Sequence, residues 1–398
     1  MRAPVARPQR GLACTGLLHR DRKAMPLNNI QLLATVAASN ASWRSRCQVV
    51  FDKVGAIRKR SAGEAPDQTG PRECCVEILH VLPTADQAGA RRVEMVKGAV
   101  TFGNFDGVHL GHRALLAQVV LSARRIGGPA TVVTFDPHPL TLLRPDRAPR
   151  AVDSLTGRLE RLAAAGVDKA WVLAFDAELA SRSAEWFADE VLLGAAAAAE
   201  IVIGPDTRFG HQGLGDLQLL QAMASQRGAE VKVCAAALWA GTPVSSSRVR
   251  REIAAGQVRE AAALLARPWS LDGQVVHGDQ RGRTIGFPTA NLEAPAQVQP
   301  AAGVYACRAL LADGRAIGAV TNCGIRPTFG HAAWRVEAHL FDINEDIYGQ
   351  TLRLEFLERL RGEVRFASVA DLVAQIAEDA RQARAVVAEW PVPAGRAL

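Results

Sequence analysis

Residues 98–112 read GAVTFGNFDGVHLGH, and the order of structural signals in this stretch decides the fold. The run Gly98–Thr101 is short and mostly apolar, as expected of a strand that is covered on both faces. Gly103 and Gly107 follow, where a backbone without a Cβ can turn sharply and approach a ligand closely. Helical periodicity then runs over His112–Ile126. A strand, a glycine-rich turn and a helix in this order predict one βα unit of an α/β domain.

The same alternation of strands and helices continues to about residue 234. Four more strand candidates lie at Ala130–Phe135, Ala170–Phe175, Glu200–Ile203 and Glu230–Cys234. Further helical patterns cover Arg158–Ala165 and Ser183–Leu193. This alternation predicts a doubly wound, Rossmann-like parallel sheet with ligands at the carboxyl ends of its strands. In the last strand Glu230 and Lys232 alternate with apolar residues, which predicts an edge position.

The pattern changes after Pro268, where strand candidates follow one another through turns. They lie at Leu271–His277, Val304–Leu311, Arg315–Asn322, Trp334–Phe341 and Thr351–Leu357. Asp313-Gly314 is a hairpin signal between two of them. Successive short strands predict a small antiparallel β-barrel, and the amphipathic segment from Val369 to about Trp390 predicts a C-terminal helix on one side of it. We therefore divide the chain into residues 1–73, 74–267 and 268–398.

The chain has a net charge of +7, but the positive charge is concentrated at its beginning. Residues 1–73 hold 13 Lys and Arg against 5 Asp and Glu, while the remainder is nearly neutral. This irregular basic segment predicts a disordered extension, although its uncharged stretch 24–43 also resembles a secretory signal and its Arg-rich composition a transit peptide. The neutral body of the chain argues against a nucleic-acid partner.

Apolar runs and cysteine spacing both bear on where the protein works. No run of about 18 strongly apolar residues is present, so the sequence predicts no transmembrane helix and no membrane partner. Seven cysteines are scattered along the chain without the spacing of a zinc site. Reduced thiols of this kind are typical of a cytoplasmic protein.

His109 and His112 lie three residues apart at the start of the first long helix. They therefore project to the same side of its first turn. Two imidazoles beside the free N–H groups of a helix N-terminus can donate hydrogen bonds to phosphate oxygens and stabilise developing charge. The alternatives are that the two histidines cap the helix or that they bind a metal ion. Zinc would need further ligands, and Asp106 is the single candidate nearby.

These residues carry a resemblance to a known family. The pattern HxGH resembles the nucleotidyltransferase superfamily, and GNFDGVHLGH resembles the FMN adenylyltransferase module of prokaryotic bifunctional riboflavin kinase/FMN adenylyltransferases. Three further stretches are similar to that family: TFDPHP at 134–139, GPDTRFG at 204–210 and VSSSRVR at 244–250. Each follows a strand candidate, where the doubly wound fold places ligands.

The resemblance implies roles for named residues of this first site. His109 and His112 are the implied catalytic pair for adenylyl transfer. The implied ATP-binding residues are Gly103, Asn104, Asp106, His109, His112, Ser245, Ser246 and Arg250. The implied FMN-binding residues are His138, Asp206 and Arg208. The family usually has an aromatic residue in place of Thr207 and a basic one in place of Gly213, so the FMN contacts of this chain differ from the family pattern.

A second glycine-rich loop follows the first predicted barrel strand. Gly278, Gly282 and Gly286 supply exposed N–H groups, and Arg281 and Arg283 add positive charge, which together suit a phosphate-binding loop. A solvated turn would have the same composition. The longer string GRTIGFPTANL, residues 282–292, resembles the riboflavin kinase signature.

That signature implies how the kinase would bind its nucleotide and metal. Its Thr and Asn, here Thr289 and Asn291, hold Mg²⁺ and the ATP phosphates in the family, and neutral oxygen ligands suit Mg²⁺. Asn322–Thr328 is also similar to the family. Strand alternation places Glu337 on the face opposite Val336, and the resemblance implies that Glu337 is the catalytic base. By periodicity alone it would be an exposed strand residue.

Together the two motif sets predict a bifunctional enzyme that phosphorylates riboflavin to FMN and adenylates FMN to FAD, with ATP as the second substrate in both reactions. Riboflavin, FMN and ATP are the predicted partners, and the oligomeric state is not determined by the sequence. Three alternatives stay open at this point. One is a different HxGH adenylyltransferase, which would have no need of the GFPTAN region. The others are a nucleic-acid-binding protein and a paralogue that has lost one of the two activities.

Overall fold

The computed structural model describes residues 96–278, 281–293, 296–328 and 331–390. The predicted basic extension 1–73 and the predicted domain start at residue 74 lie outside these residues. Three cysteines fall within them, and Cys234, Cys307 and Cys323 are all buried free thiols.

A five-stranded parallel sheet forms the first part of the described chain. Its strands are β1 (Gly98–Phe102), β2 (Ala130–Asp136), β3 (Lys169–Ala174), β4 (Ala198–Ile203) and β5 (Glu230–Val233). The order across the sheet is β3-β2-β1-β4-β5, so the direction of winding reverses between β1 and β4. This confirms the predicted doubly wound fold and the edge position of β5. The reversal opens a crevice at the carboxyl ends of the two central strands.

The helices between these strands begin at polar caps. They are α1 (Leu110–Ile126), α2 (Pro139–Leu143), α3 (Leu155–Ala164), α4 (Ala177–Ser181), α5 (Ala184–Trp186) and α6 (Leu217–Gln226). A π-helix, Phe187–Ala195, continues α5. The helix predicted at Arg158–Ala165 begins earlier, at Leu155, because Ser154 accepts the N–H of Gly157 and caps it.

Two helices connect the parallel sheet to the barrel, α7 (Ser246–Ala254) and α8 (Val258–Leu265), after a short hairpin of β6 (Leu238–Trp239) and β7 (Thr242–Pro243). Their apolar residues belong to the hydrophobic core of the barrel: Leu264 and Leu265 share one buried cluster with Trp269, Tyr305 and Phe356. The boundary at Arg267-Pro268 therefore separates two kinds of secondary structure without separating two hydrophobic cores.

Six antiparallel strands close into the predicted barrel. They are β8 (Trp269–Val276), β9 (Ala290–Leu292), β10 (Gly303–Leu310), β11 (Ala316–Thr328), β12 (His331–Leu340) and β13 (Thr351–Arg361). The order around the barrel is β10-β11-β12-β9-β8-β13, and the predicted hairpin joins β10 to β11 at Asp313-Gly314. The strand β9 was not predicted, because its three residues are too few to show an alternating pattern.

Two helices accompany the barrel, the short α9 (Arg281–Thr284) and the C-terminal α10 (Val369–Glu389). The bounds of α10 agree with the predicted helix. It buries Ala383 against Val304, Val320 and Phe341, so it covers one side of the barrel wall as expected.

Candidate active sites

The turn after β1 has an unusual backbone. Phe105, Gly107 and Val108 have φ values of 48°, 85° and 40°, in the left-handed region. A non-glycine residue in this region costs about 1–3 kcal/mol and persists only where its surroundings impose it. The side chains of Phe105 and Val108 are almost fully buried, at 1% and 3% exposure, so packing holds the turn in this shape. Such strain is concentrated at functional sites.

The turn leads directly to His109 and His112, whose rings lie against each other. His109 caps α1 through its Nδ1, which accepts the backbone N–H of His112 at 3.3 Å. The two rings stack with centroids 3.7 Å apart and an interplanar angle of 13°. A Cβ on Gly111 would lie 3.2 Å from the His109 ring, so the glycine of the HxGH pattern makes room for it. Because Nδ1 of His109 accepts a hydrogen bond, its neutral ring carries the proton on Nε2.

Both histidines are held in the neutral form. Burial lowers the pKa of His109 from 6.5 to about 4, and the charge of Arg250 acts in the same direction. Burial also lowers the pKa of His112 well below 6.5, with a further contribution from His109. The buried Nδ1 of His112 has no hydrogen-bond partner among the residues that the structure describes. As neutral rings, both histidines can donate an N–H bond at the N-terminus of α1.

Asp106 joins the turn to the VSSSRVR stretch, residues 244–250, at the start of α7. Its carboxylate accepts the N–H of Val152 at 2.9 Å and an Nη2–H of Arg250 at 2.6 Å. Its carbonyl oxygen accepts the hydroxyl of Ser246 at 2.8 Å. Ser245 caps α7 by accepting the N–H of Arg248. Three of the predicted ATP-binding residues thus meet in one cluster, where Asp106, only 4% exposed, is an anchor between chain segments.

A cavity of about 520 Å³ opens at the carboxyl edge of the sheet. Segments after β1, β2, β3 and β4 line it, in agreement with the predicted location of ligands. Its aromatic wall consists of Phe102, Phe135, Phe175, Phe187 and Phe209. Of the three predicted FMN-binding residues, His138 and Arg208 line the cavity, whereas Asp206 is exposed beside it. Thr207 and Gly213, where the chain departs from the family pattern, also line it.

His138 links the cavity to the turn. Its Nδ1 accepts the N–H of Leu140 at 3.2 Å, and its Nε2 lies 3.2 Å from the side-chain amide of Asn104. Burial and the charge of Arg250 lower the pKa of His138, so the ring is neutral. A neutral ring that accepts at Nδ1 must donate at Nε2. The contact of 3.2 Å joins this nitrogen to Nδ2 of Asn104, so a hydrogen bond between the two side chains requires the Asn104 amide to turn its oxygen toward the ring.

The predicted kinase residues meet on one wall of the barrel. Asn291 on β9 pairs directly with Glu337 on β12, and Glu337 pairs with Asn322 on β11. Val336 and Ala338 are fully buried, which confirms that Glu337 is on the opposite face. Residues paired in this way have Cβ atoms about 5 Å apart and share a face. The predicted base and a predicted magnesium ligand are thus neighbours.

The glycine-rich loop lies against the same residues. A Cβ on Gly278 would fall 2.3 Å from Nδ2 of Asn291, which only a glycine at this position avoids. A Cβ on Gly282 would meet the carbonyl oxygen of Phe287 at 2.3 Å and lie 3.3 Å from Oγ1 of Thr289. The loop therefore approaches both predicted metal ligands through its backbone. Arg281 begins α9, and the side chain of Arg283 is exposed.

Neither a zinc centre nor a membrane span is found in the described part of the chain. Its His, Cys, Asp and Glu side chains form no group of three or more that could hold a metal ion. The stacked His109–His112 pair is therefore not accompanied there by the further ligands that a zinc site needs. Within the same residues, no helix is long and apolar enough to cross a membrane.

Comparison with known proteins identifies the family. The family model for FAD synthetase matches residues 93–248, and that for riboflavin kinase matches residues 265–387. The bifunctional riboflavin kinase/FMN adenylyltransferase of Escherichia coli (strain K12) is 38% identical over 306 residues, which cover 77% of this chain and 95% of the relative. The enzyme of the same name from Haemophilus influenzae is 36% identical, covering 72% and 93% of the two chains.

The chain belongs to the family of bifunctional riboflavin kinase/FMN adenylyltransferases.

A solved structure supports the architecture of this family member. A protein from Streptococcus pneumoniae, described as a macrolide-efflux protein, is 33% identical, with a TM-score of 0.67 over 74% of this chain and 95% of its own. As a member of this family, the protein phosphorylates riboflavin to FMN and adenylates FMN to FAD, with ATP as co-substrate. A different HxGH adenylyltransferase and a nucleic-acid-binding protein are not supported as its main function.

Sequence reasoning missed one residue that organises the flavin enzyme's first site. Arg158 on α3 is 6% exposed, and its guanidinium donates to the carbonyl oxygens of Asn104 and Phe135, each at 3.0 Å. It thereby joins the ends of β1 and β2 beside the cavity. A signal existed, because Arg158 shares the buried face of α3 with Leu162, four residues later. An arginine on such a face needs buried partners, which the sequence does not name.

Proposed function

We propose that the turn after β1 and the N-terminus of α1 carry out the adenylyl transfer. His109 and His112 donate neutral N–H bonds to the ATP phosphates, together with the free N–H groups of the helix N-terminus. Gly103 and Asn104 line the approach from the cavity. Ser246 and Arg250 are bonded to Asp106, and we assign to them, together with Ser245, the contacts with the departing pyrophosphate.

In the reaction that we propose, an FMN phosphate oxygen attacks the α-phosphorus of ATP in line. The bond from this phosphorus to the oxygen that bridges to the β-phosphate breaks, and pyrophosphate leaves with the bonding electron pair. No proton has to be removed from the nucleophile, because the attacking phosphate is already an anion. The protein must orient two polyanions and stabilise the charge at the α-phosphate, which fixed N–H donors do well.

The cavity beside this turn is the proposed FMN site. Its five phenylalanines offer an apolar surface of the kind that takes a flat aromatic ring system. His138 and Arg208 line it and can face the flavin phosphate and ribityl chain. Asp206 is exposed at its rim, and its role in FMN binding stays a prediction.

We propose that the barrel wall around Glu337 is the kinase site. Glu337 takes the proton of the riboflavin 5′-hydroxyl as that oxygen attacks the γ-phosphorus of ATP, and ADP leaves. Thr289, directly before β9, and Asn291 on β9 are separated by the buried Ala290, so strand alternation places both on the face of Glu337. Two neutral oxygen atoms beside a carboxylate fit Mg²⁺, which also binds phosphates and water. When bound, the ion neutralises phosphate charge.

The loop of Gly278, Arg281, Gly282, Arg283 and Gly286 is the proposed cradle for the ATP phosphates of this kinase. Backbone N–H groups in such a loop form a concave site for anions, and arginine side chains add charge. Gly286 has a φ of 85°, so the turn that closes the loop favours glycine.

One observation carries this proposal. The side chains to which we assign chemistry form two separate groups. One lies at the carboxyl edge of the parallel sheet, and the other lies on the face of the barrel wall opposite the buried Val336 and Ala338. Two separate groups support two successive reactions on one chain, with residues 74–267 and 268–398 as their proposed domains. We further propose that the enzyme works in the cytoplasm and that the basic segment 1–73 does not recruit a nucleic acid.

The test is to incubate the purified chain with riboflavin, ATP and Mg²⁺ and to separate FMN and FAD by chromatography. We expect His112→Ala to lower FAD formation ~10²–10³-fold, the usual cost of losing one preorganised donor, so that FMN accumulates. Glu337→Gln is the reciprocal variant. It should lower FMN formation ~10²–10⁴-fold, as for loss of a general base, and leave FAD formation from added FMN unchanged.

The two variants contradict the proposal if they fail to separate the reactions. A His112→Ala enzyme that makes FAD at the normal rate would refute the adenylyl site. Near-normal phosphorylation of riboflavin by Glu337→Gln would refute the base. Stoichiometric zinc that is lost on replacing His112 would favour the metal-pair interpretation instead.

A further inference from the structure

The turn of the adenylyl site is bonded to the segment that leads into the barrel. Arg267, two residues before the barrel strand β8, donates from Nη2 to the carbonyl oxygen of Gly107 at 3.1 Å. The same Nη2 lies 2.9 and 2.8 Å from the two carboxylate oxygens of Asp153. Burial lowers the pKa of Arg267 from 12.5 to about 10, so the guanidinium keeps its charge at pH 7. These bonds are therefore charge-assisted.

The partner of Arg267 is itself fixed from both sides. Asp153 is 4% exposed and also pairs with Arg161 of α3 at 3.3 Å. Its neighbour Val152 donates its N–H to Asp106 and accepts the indole N–H of Trp269 at 3.0 Å. The segment 152–153 thus connects the turn after β1 to the first strand of the barrel. Arg267, two residues before that strand, is the residue whose side chain reaches the turn itself.

The point of contact is the strained part of the turn. Gly107 and Val108 both have left-handed φ values, and His109 follows directly. The Gly107 carbonyl belongs to the peptide between these two residues, so a donor on that oxygen opposes rotation of the peptide plane. Rotation there would change where His109 enters α1, and with it the stacked histidine pair.

We propose that Arg267 is a positioning residue for adenylyl transfer: its bond to the Gly107 carbonyl, braced by Asp153, sets the orientation of the peptide that leads to His109. The inference rests on the proposed role of His109 and His112. It implies that the barrel, which carries the kinase reaction, also shapes the site of the second reaction. This hydrogen bond joins two residues that are 160 positions apart in the sequence.

The test compares Arg267→Gln with Arg267→Lys in the full-length chain. We expect Arg267→Gln to lower kcat for FAD formation from added FMN on the order of 10²-fold, the cost of a misplacement of about 1 Å. The KM values for FMN and ATP and the rate of riboflavin phosphorylation should stay near those of the parent. Arg267→Lys keeps a cationic donor and should recover part of the loss.

Arg353→Gln is the matched control. Arg353 on β13 joins the barrel to α3 through Glu160 at 2.5 Å and is held within the barrel by Asp272 at 2.6 Å, yet the turn after β1 is not among its hydrogen-bond partners. It should lower thermal stability and leave kcat for FAD formation unchanged.

Three results would overturn the inference. Equal losses of both activities in Arg267→Gln, or an equal loss of FAD formation in Arg353→Gln, would reduce Arg267 to a general stabilising contact. If Arg267→Gln forms FAD at the full rate while His112→Ala is inactive, the positioning role is refuted and the proposed adenylyl site is not. An active His112→Ala enzyme would instead refute the proposed site on which the inference rests.

Discussion

His109 combines a structural role with the catalytic role that we propose for it. The fold buries its ring at 5% exposure, uses Nδ1 as a helix cap and leaves Nε2 as the donor. A charged imidazole would lose the cap, because a protonated Nδ1 cannot accept a hydrogen bond. Stacking on His112 and the charge of Arg250 oppose protonation as well. The folded structure therefore keeps His109 neutral, and this makes the stability of the protein depend on pH.

We expect the free enzyme to lose stability as the pH falls. The pKa of His109 is about 4 in the folded protein against 6.5 unfolded, so below pH 6.5 the unfolded chain takes up a proton that the folded protein does not. Above pH 6.5 both states are neutral and there is no effect. Between pH 7 and pH 5 the free energy of unfolding should fall by about 2 kcal/mol through this residue.

Urea unfolding at the two pH values measures this effect. His109→Asn keeps a side-chain oxygen that can cap α1 but removes the titration, so its pH dependence should be shallower than that of the parent. His211→Asn, at an exposed position, is the control and should follow the parent. If His109→Asn and the parent lose the same stability between pH 7 and pH 5, the ring is not held neutral.

At the scale of elements, the loop before β9 is fitted to a side chain of that strand. Gly278 lies two residues after β8, and its Cα is directly against the amide of Asn291. The strand β9 is only three residues long and is held by pairing to β12 on one side and β8 on the other. A shift of Asn291 therefore also disturbs its register with Glu337.

We expect Gly278→Ala to impair the kinase selectively. The added Cβ must displace the Asn291 amide, so riboflavin phosphorylation should fall roughly tenfold or more and require more Mg²⁺ for half-maximal rate. FAD formation from added FMN should be unchanged. Gly362→Ala is the control, because the nearest neighbour of its Cβ would be an Arg359 side-chain atom at 3.8 Å, an ordinary contact. A Gly278→Ala enzyme with normal Mg²⁺ dependence would argue against Asn291 as a metal ligand.

At the scale of the whole molecule, the two halves share their largest buried cluster. Val258, Leu264 and Leu265 of α8 pack with Trp269 and its barrel neighbours. Gly256, before α8, is also close to the barrel, since a Cβ there would meet Arg359 at 2.8 Å. A cut at residue 268 would remove this helix and expose apolar barrel residues to water.

We expect a kinase fragment of residues 257–398 to be more stable than one of residues 268–398. Burying the three apolar side chains of α8 is worth on the order of 3–5 kcal/mol, so the longer fragment should unfold at clearly higher urea concentration. Both should phosphorylate riboflavin while folded, because Gly278 to Glu337 lie within each of them. Equal stability of the two fragments would show that α8 does not belong to the barrel core.

Much of the architecture could be predicted from the sequence because it depends on local signals. Continuous apolar runs, helical periodicity and glycine-rich turns indicated the five parallel strands, the antiparallel barrel and the C-terminal helix. Alternation alone placed Glu337 on the face opposite Val336. His109 and His112 were found from their spacing at a helix start, whereas Thr289 and Asn291 were indicated only by the resemblance of residues 282–292 to the riboflavin kinase signature.

Only the tertiary structure decided which distant residues meet. Asp106 and Arg250 are 144 positions apart, and Arg267 lies 160 positions from Gly107, so no periodicity connects them. Arg158 was missed for the same reason: its partners are backbone carbonyls, which every residue has. Asn291 pairs with Glu337 only because the barrel closes with this strand register. The strand β9 itself has too few residues to show an alternating pattern in the sequence. Local sequence determines element type and face, whereas buried polar groups find their partners only when the whole chain is packed.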